Sequence, residues 1–345
     1  MSGRVCIWGA GAIGGTIGAH LARAGTDVVL VDLVREHVDA MTRHGLSIEG
    51  PLGGFTVPVA AATPDSLEGA FDAILLAVKS QHTESAATAL LPHLAPDGYV
   101  VSCQNGLNEP AIAAIVGRDR TIGAFVNFAG DYLGPGHISY GLRGTVAIGE
   151  LDGMRTRRIE ALRELLLPFE PHTLVSDDIF GFLWGKMAYA AVLSASALTN
   201  DTVADFIADP IRRPLVVALV QELLRIAVAE GARPRGFDTF EPAAFLADDP
   251  TAMNASLDAL AAFNRDTGKT HSGIWRDLAV RKRPTEVGAQ LVPIRAAAQR
   301  QGLPMTLLEA LAALIGAVER GERSQGPDLA DELSALAPVA DGVRR

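Results

Sequence analysis

The chain has 345 residues, 48% of them hydrophobic and 6% aromatic, with 40 acidic against 30 basic side chains and a net charge of −10. This length suits two domains rather than one, and the apolar fraction suits a globular chain with a sizeable core. The acidic balance sets nucleic acid and anionic membrane surfaces aside as main partners.

The first element is the apolar run Val5-Cys6-Ile7-Trp8, a predicted strand over residues 4–8. It leads into Gly9-Ala10-Gly11-Ala12-Ile13-Gly14-Gly15 and a predicted helix over 13–23. In a strand, turn and helix of this kind the first glycine allows a sharp reversal. The second lets backbone amides approach a pyrophosphate, and the third lets the helix lie close on the strand. The helix N-terminus adds orphan N–H groups and a partial positive charge for the phosphates. A second apolar strand, over 27–31, ends in Asp32, eighteen residues after Gly14. A carboxylate there is placed to bind a ribose 2′-hydroxyl. Gly9, Ala10, Gly11, Ala12, Ile13, Gly14 and Asp32 are therefore read as cofactor-binding, and Asp32 favours NAD(H). The alternative for the glycine loop is a structural turn in some other α/β protein.

Strands over 73–78 and 99–103 follow, with helices over 35–44, 83–91 and 109–115. Their runs are continuously apolar rather than alternating, as in a parallel sheet covered on both faces. Residues 46–58 suit a small hairpin, and the Gly-punctuated alternation of 121–150 suits antiparallel strands finishing the sheet. A helix over 154–167 and a last strand over 172–175 precede a purely helical remainder, with helices over 180–198, 211–229, 242–264, 284–301 and 305–319. The fold class expected is α/β: a Rossmann-type doubly wound sheet over 1–172, then an all-α substrate and dimerisation domain over 173–325. A polar tail over 326–345 lies on the surface or lacks order. The cleft between the domains is the expected active site.

Two polar residues fall just past strand ends, where open α/β sheets bind ligands. Lys79, in Ala77-Val78-Lys79-Ser80, is either a cofactor-site residue or a surface lysine at a helix start. Asn105, in Cys103-Gln104-Asn105-Gly106, either faces the nicotinamide and substrate or makes a plain turn. Lys186 sits inside the apolar helix over 180–198. Burial there is costly for an ammonium and lowers its pKa, which suits a general acid near neutrality. The competing reading is a lysine whose stem packs while its head reaches water. Glu286 follows the basic run Arg281-Lys282-Arg283-Pro284-Thr285. As a bare pattern it is a first-turn carboxylate stabilising a helix that opens at Pro284.

The two cysteines, Cys6 and Cys103, fall in core strands, which points to buried thiols in a reducing compartment. Neither they nor the eight histidines are spaced like metal ligands. The glycine loop begins at once, with no signal peptide before it, and no stretch reaches the apolar length needed to span a bilayer. A cytoplasmic protein is expected.

These elements together resemble the ketopantoate reductase (2-dehydropantoate 2-reductase) family. The likeness rests on Gly-Ala-Gly-Ala-Ile-Gly-Gly, Val78-Lys79-Ser80, Gln104-Asn105-Gly106, Trp184-Gly185-Lys186, and Asp277 followed by Arg283-Pro284-Thr285-Glu286. It implies a two-domain enzyme that reduces the 2-oxo group of ketopantoate with NADPH, so NADP(H) joins NAD(H) as a cofactor candidate. By similarity Lys186 is the general acid, Glu286 binds a substrate hydroxyl, and Lys79 and Asn105 sit at the cofactor–substrate junction. Asn105, Ala190, Ser194, Ser272 and Glu286 form the implied substrate set.

Three departures stand out. Ala190 and Ser194 occupy positions where the family usually carries asparagines, four and eight residues after the lysine. The segment from Asp277 to Glu286 is one residue longer, with Gly273 in the place of a serine and Ser272 beside it. Asp32-Leu33 replaces the arginine common in NADPH-using members. The sequence thus reads as a nicotinamide-dependent oxidoreductase for a 2-oxo or 2-hydroxy acid, expected as a homodimer, with a substrate larger or more apolar than ketopantoate. An opine-type or other hydroxy-acid dehydrogenase and a non-catalytic NAD(P)-sensing protein are the alternatives.

Overall fold

A computed structural model of the chain describes residues 3–266 and 270–337. The chain divides into two compact units, Met1–Ile179 and Phe180–Arg345.

The first unit alternates strands and helices. An eight-stranded sheet has the order β12-β11-β8-β7-β6-β1-β2-β5. Its strands are β1 (Val5–Trp8), β2 (Val28–Val31), β5 (Ala60–Ala62), β6 (Phe71–Leu76), β7 (Leu94–Ser102), β8 (Thr121–Val126), β11 (Val146–Glu150) and β12 (Leu174–Val175). All neighbours pair in parallel except β8 with β11. Strand side chains alternate between two cores. Val5 and Ile7 join a cluster with α1 (Ala12–Arg23), α2 (Arg35–His44) and α5 (Arg157–Leu166), while Cys6 and Trp8 face α3 (Thr83–Leu90) and α4 (Glu109–Val116). Burial on both faces explains why the strand sequences lack polar alternation.

The expectation that 121–150 wholly finishes this sheet is corrected. β9 (Gly130–Gly134) and β10 (His137–Tyr140) leave it and form a second sheet with β3 (Leu46–Glu49) and β4 (Phe55–Val57), in the order β4-β3-β10-β9. β10 runs parallel to β3, with His137 opposite Ser47. The first unit also extends beyond residue 172, because Leu174–Val175 pairs with β11.

The second unit is helical among its described residues: α6 (Ile179–Ser196), α7 (Val203–Ala208), α8 (Arg213–Ala229), α9 (Pro242–Leu246), α10 (Pro250–Asp266), α11 (Gly273–Ala279), α12 (Val287–Gln301), α13 (Thr306–Glu319) and α14 (Pro327–Ser334). The single helix expected over 242–264 is two, interrupted before Pro250, with Asp248 in the left-handed region. The expected tail is in part a docked helix. In α14, Leu329, Ala330 and Leu333 are buried, and Arg212 pairs with Asp331 at 2.5 Å. Residues 338–345 lie outside the described residues.

The reading that no stretch is apolar enough to span a bilayer is also corrected. By length and composition α6 qualifies, with a mean hydropathy of 1.2, yet 78% of it is buried inside the protein. It is a core helix.

Candidate active site

In the first unit the site is built at the ends of β1, β2, β6 and β7. Strand order reverses at β1, which lies between β2 and β6, and such switch points open a crevice at the carboxyl ends of the strands. Gly9 closes β1 with a φ of 101°, and a Cβ there would lie 2.8 Å from the Val78 backbone nitrogen. At Gly14 a Cβ would lie 2.1 Å from the Gly9 carbonyl, so α1 packs at glycine distance. Gly11 is different: a Cβ built there meets nothing within 4 Å. The loop is thus tight where it folds and open where a pyrophosphate would lie. The first turn of α1 carries no acidic residue and no side-chain cap, leaving its N-terminal field to a ligand. These features fit a dinucleotide.

The Ala10 peptide is held from both sides. Its N–H donates to Asp32 Oδ2 at 3.0 Å, and Asp32 Oδ1 accepts from the Val34 N–H at 2.9 Å. Its carbonyl lies 2.9 Å from His37 Nε2. His37 Nδ1 accepts from the Gly136 N–H, which leaves the ring proton on Nε2 to donate to Ala10. His37 is buried in the amphipathic helix α2 and ties the glycine loop to the β9–β10 hairpin. Tyr132 of that hairpin packs edge-on against it, and burial, with Asp32 and Glu36 nearby, raises the Tyr132 phenol pKa. Sequence reasoning missed His37. Its signal is the helical spacing that sets it beside the buried Val38 and Met41.

Lys79 and Asn105 stand on segments stapled together by residues that sequence reasoning also missed. Ser80 Oγ donates to the Asn105 carbonyl at 2.5 Å, and Asn108 Nδ2 donates to the same oxygen at 2.8 Å. Gln104 Nε2 donates to the Val78 carbonyl and to Thr83 Oγ1. This buried network fixes the backbone on both sides of Lys79, which is half-buried, and of Asn105, whose side chain is exposed.

In the second unit Lys186 is half-buried on α6. The glycine before it has a steric reason: at Gly185 a Cβ would lie 2.4 Å from the Arg235 carbonyl, and the Arg235 N–H donates to the Gly181 carbonyl. A loop therefore crosses α6 at backbone distance and fixes the helix on which Lys186 stands. Tyr189 is committed elsewhere. Its hydroxyl donates to Asn264, and burial pushes its pKa up to about 12.

Glu286 lies at the N-cap of α12, so the helix expected to open at Pro284 begins at Val287. The preceding loop is folded on Asp277, whose Oδ1 accepts from Arg283 Nε at 2.9 Å and Arg281 at 3.2 Å, with Lys282 in the left-handed region. Thr285 anchors the turn by donating from its N–H and hydroxyl to Glu319. Ser272 is placed as the N-cap of α11, accepting from the Trp275 N–H and donating to the Leu193 carbonyl. His271 stacks on Trp275 at 3.9 Å.

Ala190 and Ser194 follow Lys186 by one and two turns and line one recess together with Gln290, which follows Glu286 by one turn. The Ser194 hydroxyl donates to the Ala190 carbonyl at 2.8 Å and is spent on its own helix. Gln290 is the third residue that sequence reasoning missed.

A dinucleotide-binding α/β unit followed by a helical unit with a lysine in its central apolar helix defines a two-part dehydrogenase architecture. Residues 5–153 match the family "Ketopantoate reductase PanE/ApbA", and residues 178–319 match its C-terminal counterpart. A 2-dehydropantoate 2-reductase of Mesorhizobium japonicum is 29% identical over 346 residues, spanning 92% of this chain and 99% of that protein. The crystal structure of a PanE/ApbA family ketopantoate reductase from Ralstonia eutropha JMP134 superposes with a TM-score of 0.78 at 26% identity, covering 93% of this chain and 100% of that one. D-Mandelate dehydrogenase with NADH and anilino(oxo)acetate shares the fold, with a TM-score of 0.81 at 20% identity, covering 92% and 99%.

The chain belongs to the ketopantoate reductase PanE/ApbA family. It is an oxidoreductase that acts on a CH–OH group and uses a nicotinamide cofactor.

Proposed function

We propose that this protein reduces a 2-oxo acid of the ketopantoate type to its 2-hydroxy acid, with NADH preferred over NADPH and Lys186 as the proton donor. The observation that carries the reading is the glycine loop, open at Gly11 and braced at Ala10 by a carboxylate, in a chain whose two halves both match one reductase family.

Gly9 to Gly14 would hold the pyrophosphate on the N-terminus of α1, and Asp32 would accept hydrogen bonds from the adenosine ribose. Each carboxylate oxygen of Asp32 already takes one backbone N–H and keeps a lone pair for a hydroxyl. When bound, the dihydronicotinamide supplies a hydride to the substrate's carbonyl carbon. The Lys186 ammonium donates a proton to the carbonyl oxygen, which becomes the alcohol, and the neutral amine regains a proton from solvent. Glu286 accepts a hydrogen bond from a substrate hydroxyl. Asn105 and Lys79, on segments locked by the Gln104–Thr83–Ser80 network, orient the nicotinamide end.

The test is an activity matrix of NADH and NADPH against ketopantoate and a panel of other 2-oxo acids. Turnover of at least one 2-oxo acid, faster with NADH, is expected. Cofactor binding with no turnover anywhere on the panel would refute the enzyme reading and leave a nucleotide-sensing protein.

A further inference from the structure

The recess on α6 and α12 has an empty volume of about 270 Å³, its open mouth included. One wall is Met187, Ala190 and Ser194, the opposite wall is Val287, Gln290 and Leu291, and leucines of α8 and α13 complete it. Its position follows from helix geometry. Residues four apart share a helix face, so the recess begins one turn beyond Lys186 on α6 and one turn beyond Glu286 on α12.

Nearly all of this lining is apolar, and the Ser194 hydroxyl has given its proton to its own helix. Gln290 is the exception. Its residue is only 7% exposed, and among the described residues its side-chain amide makes no hydrogen bond. Burying an amide without a partner is costly, and a leucine would fill the same wall without that cost. A glutamine held there is explained by a partner that arrives with the ligand.

We infer that Gln290 is the specificity-determining residue for the substrate's side chain. This rests on the proposed reduction of a 2-oxo acid. A branched aliphatic side chain places its methyl groups against Met187, Ala190, Val287 and Leu291, and a single hydroxyl on that side chain accepts a hydrogen bond from the Gln290 NH₂. A hydroxyl is donor and acceptor at once, so the same group donates its own proton to Glu286, one turn earlier on the chain. Gln290 thereby restores, from the opposite wall, the amide chemistry that Ala190 and Ser194 lack. The substrate class is a branched 2-oxo acid with one side-chain hydroxyl.

A matched pair tests this: ketopantoate and 3,3-dimethyl-2-oxobutanoate, which differ by that hydroxyl alone. The wild type is expected to favour ketopantoate in kcat/KM by at least about tenfold, the worth of one good hydrogen bond. Gln290→Leu should bring the ratio close to one by losing ketopantoate, while activity on the dimethyl compound holds. The Tm of Gln290→Leu without substrate should match or exceed that of the wild type, since the variant buries no unpaired amide. A ratio unchanged by the substitution, equal losses on both substrates, or a fall in Tm would overturn the role of Gln290. If the wild type reduces both compounds equally well, the inference fails and the proposed function stands. If it reduces no 2-oxo acid at all, the function fails too.

Discussion

Asp32→Asn keeps the shape of the side chain at the end of β2 and removes its charge. In the wild type both carboxylate oxygens accept backbone N–H groups, from Ala10 at 3.0 Å and Val34 at 2.9 Å. The amide can keep one of these, so a stability loss of about 1 kcal/mol is expected. The effect on the coenzyme is larger. A 2′-phosphate of charge near −2 placed ~5 Å from the carboxylate meets a repulsion of about 1.5–3 kcal/mol at effective dielectric constants of ~80–40. The ribose of NADH instead gains a charge-assisted hydrogen bond of about 1.5–3 kcal/mol, part of which the amide forfeits. The wild-type ratio of kcat/KM for NADH over NADPH should therefore fall by roughly 10- to 100-fold in the variant, at ~1.4 kcal/mol per decade. Arg35 changes this little, because its guanidinium lies 3.6 Å from Asp65 and both groups are exposed. Salt gives a second readout. With the screening length falling from ~10 Å at 0.1 M to ~3 Å at 1 M, NADPH use should improve in the wild type and stay flat in Asp32→Asn. A wild type that prefers NADPH, or a ratio untouched by the substitution, would refute the reasoning.

Lys186→Ala is expected to lower kcat by at least about 10²-fold, the lower range for loss of a positioned proton donor, with cofactor Kd by fluorescence titration unchanged; a near wild-type kcat would show that the lysine only packs. Gly11→Ala should keep the wild-type Tm, since its Cβ meets no atom within 4 Å, yet weaken NADH binding. Gly14→Ala, with its Cβ 2.1 Å from the Gly9 carbonyl, should lose stability first. Equal effects from the two substitutions would contradict the assigned glycine roles. Burial raises the Glu222 carboxyl above its ordinary value of 4.5, although the N–H groups of Leu307 and Leu308 donate to it. The folded state then holds the proton more tightly than the unfolded state, so stability falls as pH rises from about 4.5 through the raised value. Glu222→Gln should flatten the Tm–pH profile over that window, and parallel profiles would refute the assignment.

Much of this was legible because its causes are local. The glycine loop, the continuous strand runs and the apolar helix around Lys186 each depend on neighbours within a few turns. What failed depends on distant partners. The alternation of residues 130–140 predicts strands, but not that β10 pairs with β3 some ninety residues earlier rather than with the main sheet. Pro284 looks like a helix start. The helix waits for Val287 because Asp277 gathers Arg281 and Arg283 and holds the loop open. Ala190 and Ser194, taken alone, predict a more apolar site. The amide that alters that expectation lies across the recess on α12, where in sequence Gln290 is one more polar residue in a helix of mixed composition.

The same contrast bears on how coenzyme choice is built. The Ala10 peptide, at the tightest part of the glycine loop, has its N–H held by Asp32 and its carbonyl by His37, which is itself fixed through Gly136. Asp32 therefore both selects the ribose and holds the loop that grips the phosphates. An arginine at position 32 would welcome a 2′-phosphate but has no acceptor to offer the Ala10 N–H. That amide would have to find water or shift, and the pyrophosphate cradle would move with it. A change of coenzyme at this site thus needs two coupled steps: a new cation for the phosphate, such as one at Leu33, which is 77% exposed, and retention of a neutral acceptor at 32 for the loop. Asp32→Asn with Leu33→Arg meets both requirements, and by this argument it should use NADPH better than Asp32→Arg alone.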